Sequence, residues 1–491
     1  MNPFFNYSRA SITALVLTVL FSLLPTFARA FSEAADDTQP GRVNEQIVCK
    51  NRPDQSYALY LPSNYSPNRK WALLAALDPV ARGNVPVERF KDAAEQYGYI
   101  VCGSNNSRNG PLQPAAEAAQ AMLVDVTARF AIDDKRVYLA GFSGGARAAT
   151  AIAVWLKEHV AGVIGCGAGL AAGIEPSSAL PFAFYGTVGT EDFNYAEMKQ
   201  LDRKLQSAGV AHRVEVFEGG HGWAPADSSV RAIEWMELQG MKSGRRTRDD
   251  LFIDRLYKSA QDNATTDEAA GRAVEAYIAY LGIAADFKGL RDVSESERKA
   301  ALLKDSKAVK QALTKAQDQE NDEMRRALEL SGLRARLVTP RRGSQTPGAT
   351  SETEDRQLLF SDLKNKLKEL KRKSEATEHT PERACARRIL NQFSAASFEQ
   401  STMLLQAKKF DLAASTLAVD TELMPDNWRL LYNLACVYSL KGDKRRAIET
   451  LSNAVQKGFA NAAELVRNDQ LDGIREEAGF KKIVEQLKQK R

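Results

Sequence analysis

The sequence is poor in the residues that build metal and disulfide sites. Its 491 residues include four histidines and five cysteines, with no Cys-x-x-Cys pair and no histidine cluster. These spacings exclude the common zinc motifs, so we expect neither a metal nor another cofactor. An odd cysteine count leaves at least one thiol unpaired. Cys49 and Cys102 both end apolar stretches, and they are the expected disulfide pair in an oxidising compartment.

The sequence also lacks a large excess of charge of either sign. The formal net charge is only +5, which gives little support to a nucleic-acid partner. Residues 364–373 are rich in lysine and arginine around a narrow leucine stripe. We interpret this stretch as a solvated helix face rather than a binding site for nucleic acid or anionic lipid.

Long hydrophobic runs are missing apart from one near the start of the chain. Residues 12–24 are almost entirely apolar, follow Arg9, and precede the small-residue pattern of residues 28–30. The run is too short for a comfortable membrane span. It is typical of a secretory signal peptide covering residues 1–30, with cleavage after Ala30. The sequence therefore predicts a secreted or periplasmic protein with no stable membrane span after cleavage.

The sequence does contain a serine between a predicted strand and a predicted helix. Apolar residues 137–140 lead into Gly-x-Ser-x-Gly, centred on Ser143, and an alanine-rich stretch follows as far as Glu158. This is the sequence form of a nucleophile elbow, a strained turn that exposes the serine while glycines avoid clashes with neighbouring backbone. The short motif is a weak signal alone, and the flanking strand and helix give it the required context.

Two further candidates follow in the order acid, then histidine. Residues 181–194 predict an apolar strand that ends in a glycine-rich turn carrying Glu191 and Asp192. Residues 213–223 predict an alternating strand that ends in a glycine-flanked loop carrying His221. Serine, acid, histidine is the chain order of α/β-hydrolases and differs from the chymotrypsin and subtilisin orders.

These residue types together suit nucleophilic catalysis. A serine hydroxyl is a poor nucleophile at neutral pH, so His221 would accept the proton of Ser143 during attack and return it to the leaving group. Asp192 would hold the imidazole tautomer and stabilise the imidazolium. Glu191 is the alternative acid, and Asp192 is preferred because it lies at the far end of the turn.

Such a site also needs donors for the developing oxyanion. One is expected from the backbone N–H of Gly144, the residue after the nucleophile. The second is expected from the loop after the third strand, where many lipases and esterases have His-Gly and this chain has Asp78-Pro79. Because proline has no N–H, we predict the second donor at Val80, with Ala81 or another nearby amide as alternatives.

On these residues, positions from about 45 to 240 resemble the α/β-hydrolase superfamily, nearest to bacterial esterases of the dienelactone-hydrolase and polyhydroxybutyrate-depolymerase-like kind. The resemblance implies a mostly parallel, eight-stranded sheet flanked by helices. It also implies serine esterase activity without a cofactor, and it assigns the triad to Ser143, Asp192 and His221. The resemblance does not fix the substrate, which we expect to be a small-molecule or polymeric ester. Two alternatives stay open. One is a weak or inactive hydrolase-fold protein that binds or assembles, and the other is a serine peptidase on the same triad.

The hydrolase-like domain is expected to cover residues 31–244, after which strand patterning disappears. Residues 245–390 predict a helical spacer, with a flexible linker rich in proline, glycine, serine and threonine near residues 339–355. Residues 391–491 predict an all-α end. The fold class is thus an α/β-hydrolase domain followed by an all-α helical region.

The C-terminal part carries an internal repeat. Ala413 corresponds to Ala447 and Leu417 to Leu451, each pair 34 residues apart. This is the tetratricopeptide period, in which small residues let paired helices approach closely. About two copies are recognisable, so these repeats are expected either to bind a protein partner or to cap the preceding helices.

Overall fold

The computed structural model describes residues 38–338 and 350–489. The predicted signal peptide and residues 339–349 of the predicted linker lie outside these ranges. By internal contacts the chain forms two compact units: the first extends to Leu313, and the second runs from Thr314 onward and includes Glu191–Phe193. The first unit is therefore longer than the predicted hydrolase-like domain.

The first unit is built on a single eight-stranded sheet. The strands are β1 (Val43–Cys49), β2 (Arg52–Tyr60), β3 (Trp71–Leu77), β4 (Tyr99–Ser104), β5 (Ile132–Phe142), β6 (Gly162–Cys166), β7 (Ala183–Gly189) and β8 (His212–Phe217). Their spatial order is β1-β2-β4-β3-β5-β6-β7-β8. β2 runs antiparallel to β1 and to β4, and β3 to β8 are all parallel. This mostly parallel sheet confirms the predicted fold class.

Helices cover both faces of the sheet. They are α1 (Asn84–Tyr97), α2 (Leu112–Arg129), α3 (Gly144–Leu156), α4 (Tyr195–Ser207) and α5 (Ala226–Lys242). Helices α2, α3 and α4 share one hydrophobic cluster with the sheet, and α1 and α5 share the other. Within β3, Leu73 belongs to the first cluster and Leu74 to the second, as alternation along a strand requires. Every residue of β3, β4 and β6 is buried, which explains their continuous apolar sequences.

Three more helices belong to the first unit: α6 (Asp250–Ala269), α7 (Ala273–Phe287) and α8 (Ser294–Asp305). Met241 of α5 and Phe252 of α6 lie in one core with apolar residues of α7 and α8. Asp286 of α7 accepts a hydrogen bond from Trp235 Nε1 at 2.8 Å and pairs with Arg213 of β8. The change to helical patterning near residue 244 therefore marks a change of secondary structure inside one compact unit.

The residues described for the second unit are helical apart from their connections. The helices are α9 (Lys307–Val338), which begins in the first unit, α10 (Thr350–Ser374), α11 (Pro381–Gln406), α12 (Phe410–Leu423), α13 (Trp428–Leu440), α14 (Lys444–Gln456), α15 (Ala462–Arg467) and α16 (Ala478–Gln489). No helix within the described ranges is both long and apolar enough to cross a membrane.

The predicted repeat coincides with buried helix positions. α12 and α14 begin 34 positions apart, at Phe410 and Lys444. The corresponding alanines and leucines of the repeat are all fully buried in one cluster with α13. Small buried residues let these helices pack closely. The tetratricopeptide-like character of residues 391–491 stays a prediction.

All five cysteines are free thiols. Cys49 and Cys102 lie in the same hydrophobic core, and the structure has no bond between them, which corrects the expected disulfide. Burial raises the pKa of the Cys49 thiol to about 11, and burial likewise raises the pKa of Cys102. A protonated thiol in an apolar core is a poor nucleophile, so both residues act as small packing groups.

Candidate active site

Ser143 forms the turn between β5 and α3. β5 ends at Phe142, α3 begins at Gly144, and Ser143 has φ 53° and ψ −121°. A non-glycine residue at positive φ is strained and persists only where the surroundings fix it. The Ser143 N–H donates to the carbonyl of Cys166 at 2.8 Å, and the Ser143 carbonyl accepts from the N–H of Ala146 at 3.0 Å. The serine is therefore held from both sides at the end of the sheet.

The glycines on either side of this turn are explained by close backbone contacts. A β-carbon on Gly141 would lie 2.2 Å from the carbonyl oxygen of Gly145. A β-carbon on Gly145 would lie 2.1 Å from the carbonyl oxygen of Leu77, at the end of β3. Both obstacles are backbone atoms of central elements, so neither can move aside cheaply. The motif thus lets α3 begin directly against the end of the sheet.

His221 lies in the loop after β8 and reaches the serine. Its Nε2 is 2.9 Å from Ser143 Oγ, a normal hydrogen-bond distance for a nucleophile and its base. The imidazole also packs on the ring of Phe142, with centroids 4.6 Å apart. Both side chains are half-buried, so they lie at a surface that a small substrate can reach.

The loops after β7 and β8 meet at the same edge of the sheet. The Thr190 N–H donates to the carbonyl of Phe217 at 2.9 Å. A β-carbon on Gly189 would lie 2.4 Å from the carbonyl oxygen of Gly219. The end of β7, at Gly189 and Thr190, is therefore packed against the start of the loop that carries His221.

The two candidate acids have different surroundings. The Asp192 side chain is fully buried. The Glu191 carboxylate, inside the second unit, accepts hydrogen bonds from Arg387 Nη1 at 2.7 and 2.8 Å and lies 3.4 Å from Arg383 Nη2. Two guanidinium groups thus already serve as counter-ions for Glu191. The choice of Asp192 over Glu191 as the acid stays a prediction.

The loop after β3 is ordered by one buried carboxylate, Asp78. Its oxygens accept hydrogen bonds from Trp223 Nε1 at 2.9 Å, from Arg82 Nε at 3.1 Å and from the Val80 N–H at 3.0 Å. The Ala81 N–H donates to the Asp78 carbonyl at 3.2 Å. The predicted second oxyanion donor, Val80, therefore already has an acceptor, and the structure does not leave its N–H for a substrate.

Gly144 is placed differently from Val80. It is the first residue of α3, where backbone N–H groups have no acceptor inside their own helix. The N-terminal end of a helix also carries a partial positive charge. Because Gly144 directly follows Ser143, its N–H is suitably placed to donate a hydrogen bond to an oxyanion formed at the serine. The role of Gly144 as an oxyanion donor stays a prediction, and sequence reasoning missed Asp78 as the organiser of the neighbouring loop.

No protein-family model and no curated protein matches the chain. Similar solved structures include a mutant of the feruloyl esterase module from Clostridium thermocellum complexed with sinapinate, 16% identical, covering 42% of this chain and 92% of that chain with a TM-score of 0.33. S-formylglutathione hydrolase from Staphylococcus aureus is 16% identical and covers 37% and 90%, with a TM-score of 0.31. Esterase B from Lactobacillus rhamnosis is 15% identical and covers 43% and 93%, with a TM-score of 0.34.

The close approach of α3 to the sheet gives a testable prediction. Gly145→Ala should lower the free energy of unfolding by about 3 kcal/mol, because the added methyl meets the backbone of Leu77. Gly282→Ala, in α7, is the matched control, since its new methyl has only ordinary contacts. It should raise stability by at most about 1 kcal/mol through helix propensity. Denaturant unfolding of the full chain measures both, and equal effects would contradict the account of the turn.

Proposed function

We propose that the chain is a serine hydrolase that cleaves carboxylic esters through an acyl-enzyme on Ser143. The observation that carries this proposal is the 2.9 Å distance between His221 Nε2 and Ser143 Oγ. It occurs at a strained turn between a central parallel strand and a helix. A serine beside a base, presented at such a turn, is the arrangement that nucleophilic acyl transfer requires.

The acylation step follows from these atoms. Ser143 Oγ attacks the carbonyl carbon of the ester while its proton passes to His221 Nε2, and the carbonyl oxygen becomes an oxyanion. The N–H of Gly144 donates to this oxygen. When the tetrahedral intermediate collapses, the bond to the alcohol breaks and the alcohol oxygen takes the proton from His221. The acyl group then remains on Ser143.

Deacylation uses the same groups in reverse. A water molecule gives its proton to His221 Nε2 and adds to the acyl carbon. The second tetrahedral intermediate expels Ser143 Oγ, which takes back the proton, and the carboxylic acid leaves. The free serine and neutral imidazole are thereby restored, and no cofactor takes part in the cycle.

We assign Asp192 as the acid that orients His221. A buried carboxylate in this role holds the imidazole tautomer and stabilises the imidazolium that forms during attack. The chain order serine, acid, histidine, the burial of Asp192 and the engagement of Glu191 with arginines support this choice.

The remaining parts of the proposal concern location and partners. The pattern in residues 12–30 supports export to the periplasm or medium, where a small-molecule or polymeric ester would be the substrate. The buried helix positions repeated every 34 residues support a tetratricopeptide-like region in the second unit. We propose that this region binds a protein partner, and that small esters need no such partner.

The nucleophile assignment is tested by Ser143→Ala. This change should abolish hydrolysis of a short-chain p-nitrophenyl ester and labelling by a fluorophosphonate, while the unfolding midpoint stays near that of the wild type, because only the reacting hydroxyl is removed. Ser243→Ala, at an exposed serine after α5, is the control and should keep both activities. A wild-type protein that neither hydrolyses nor labels would support the inactive-scaffold alternative, and faster cleavage of peptide amides would support a peptidase.

The acid assignment is tested by comparing two isosteric changes. Asp192→Asn should lower kcat by about 10⁴-fold, because an amide favours the wrong imidazole tautomer. Glu191→Gln removes the charge that pairs with Arg383 and Arg387 and should affect kcat much less. Steady-state kinetics on the same ester decides the ranking. The opposite order would show that Glu191 is the acid.

A further inference from the structure

The first amides of the loop after β3 are already engaged in hydrogen bonds. Pro79 has no N–H, and the N–H groups of Val80, Ala81 and Arg82 all donate to Asp78, at 3.0, 3.2 and 3.4 Å. Asp78 is itself fully buried and is held by the indole of Trp223. Turning the N–H of Val80 or Arg82 toward a substrate would remove a hydrogen bond from a buried carboxylate, and turning that of Ala81 would remove one from the Asp78 carbonyl, which is costly. These three amides are therefore poor candidates for the second donor.

A neighbouring loop, residues 105–110 after β4, is fixed to this one. The Asn109 N–H donates to the carbonyl of Pro79 at 2.7 Å, and Ser107 Oγ donates to the carbonyl of Asp78 at 3.0 Å. Val80 and Arg108 also form an antiparallel bridge. These contacts fix the backbone at Asn109 relative to the end of β3.

The side chain of Asn109 lies directly against Gly144. A β-carbon on Gly144 would lie 1.8 Å from Asn109 Oδ1, 2.9 Å from Cγ and 3.5 Å from Nδ2. The nucleophile motif allows any residue at this position, and here a side chain would meet the end of the Asn109 carboxamide unless that carboxamide moved. Gly144 is also the residue whose N–H is the first oxyanion donor. The carboxamide is thus next to the residue proposed as the first oxyanion donor.

The carboxamide can present its donor at that place. The terminal torsion of asparagine is broad and roughly two-fold, so a half-turn exchanges Oδ1 and Nδ2 over nearly the same positions. The Asn109 side chain is exposed, and water can hydrogen-bond whichever polar atom faces outward. A negatively charged oxygen selects the orientation in which Nδ2 donates to it.

We propose that the side-chain amide of Asn109 is the second oxyanion donor, in place of the backbone N–H that Pro79 and Asp78 remove from the loop after β3. This inference rests on the proposed ester hydrolysis. Asn109 Nδ2–H donates to the substrate carbonyl oxygen as that oxygen gains charge, beside the N–H of Gly144. Asn109 exchanges no proton and forms no covalent bond. Because the carbonyl oxygen carries more negative charge in the transition state than in the bound ester, the Asn109 hydrogen bond stabilises the transition state more strongly.

The test compares kcat with KM in Asn109 variants of the full chain. Asn109→Ala should lower kcat on the order of 10²-fold, the usual effect of losing one oxyanion donor, while KM changes little. Asn109→Asp keeps the shape but presents a negative acceptor, so its kcat should fall further. Asn109→Ser keeps a short donor and should keep more activity than Asn109→Ala. Arg108→Ala, at the exposed neighbouring residue, should behave as wild type.

Binding of a trifluoromethyl ketone separates this role from a structural one. The ketone forms a tetrahedral oxyanion adduct with the serine, so its affinity for Asn109→Ala should fall by the same factor as kcat/KM. Suppose that wild-type turnover depends on Ser143 but Asn109→Ala changes neither kcat nor the affinity for the ketone. That result would overturn only the Asn109 assignment. A wild type without turnover would overturn the proposed function and this inference with it. A rise in KM with an unchanged kcat in Asn109→Ala would also overturn the assignment.

Discussion

The positive φ at Ser143 is the constraint on which the rest of the candidate site depends. That conformation is unfavourable for a residue with a side chain, and it persists because the backbone is hydrogen-bonded on both sides and packed against β3. Strand β6 supplies the acceptor for the Ser143 N–H, and the first turn of α3 supplies the donors for its carbonyl. The same turn presents the hydroxyl and leaves the N–H of Gly144 at the start of a helix. The proposed nucleophile and the proposed first oxyanion donor are therefore two consequences of one local geometry.

Asp78 plays a comparable part for the surrounding loops. A fully buried carboxylate is tolerable only when hydrogen bonds replace its hydration. Here the donors come from its own loop, from Arg82 and from Trp223, which lies two residues after His221. The carboxylate thus joins the loop after β3 to the segment that carries the base. The same bonds occupy the amides that an oxyanion could otherwise use, which is why we look to Asn109 for the second donor.

Sequence patterns were sufficient for features that depend on neighbouring residues. The apolar run before the Gly-x-Ser-x-Gly motif and the alanine-rich stretch after it correctly predicted a strand, a turn and a helix at Ser143. The strand endings before Asp192 and His221 were found in the same way, because parallel strands place their following loops at one edge of the sheet. The mostly parallel, eight-stranded arrangement followed from the resemblance that these motifs carried.

Features that depend on distant contacts could not be predicted in this way. The Asp78-Pro79 pair indicated an altered oxyanion loop, but the acceptor of the Val80 N–H depends on how a buried side chain folds back. The contact of Asn109 with Gly144 joins the loop after β4 to the start of α3, and these segments are distant in the sequence. Helices α6 to α8 look independent in sequence, and only their shared core with α5 shows that they belong to the first unit. The expected Cys49–Cys102 disulfide failed because two cysteines can share a core without bonding.

The central claim is that Ser143 Oγ carries the acyl group during turnover. The most direct measurement is reaction of the full chain with p-nitrophenyl dimethylcarbamate, whose carbamyl-enzyme hydrolyses slowly, followed by acid quenching and peptide mapping. The account predicts release of one p-nitrophenol for each chain, with the carbamyl group found on Ser143. Modification of a different residue, or no stoichiometric release from a folded protein, would contradict it.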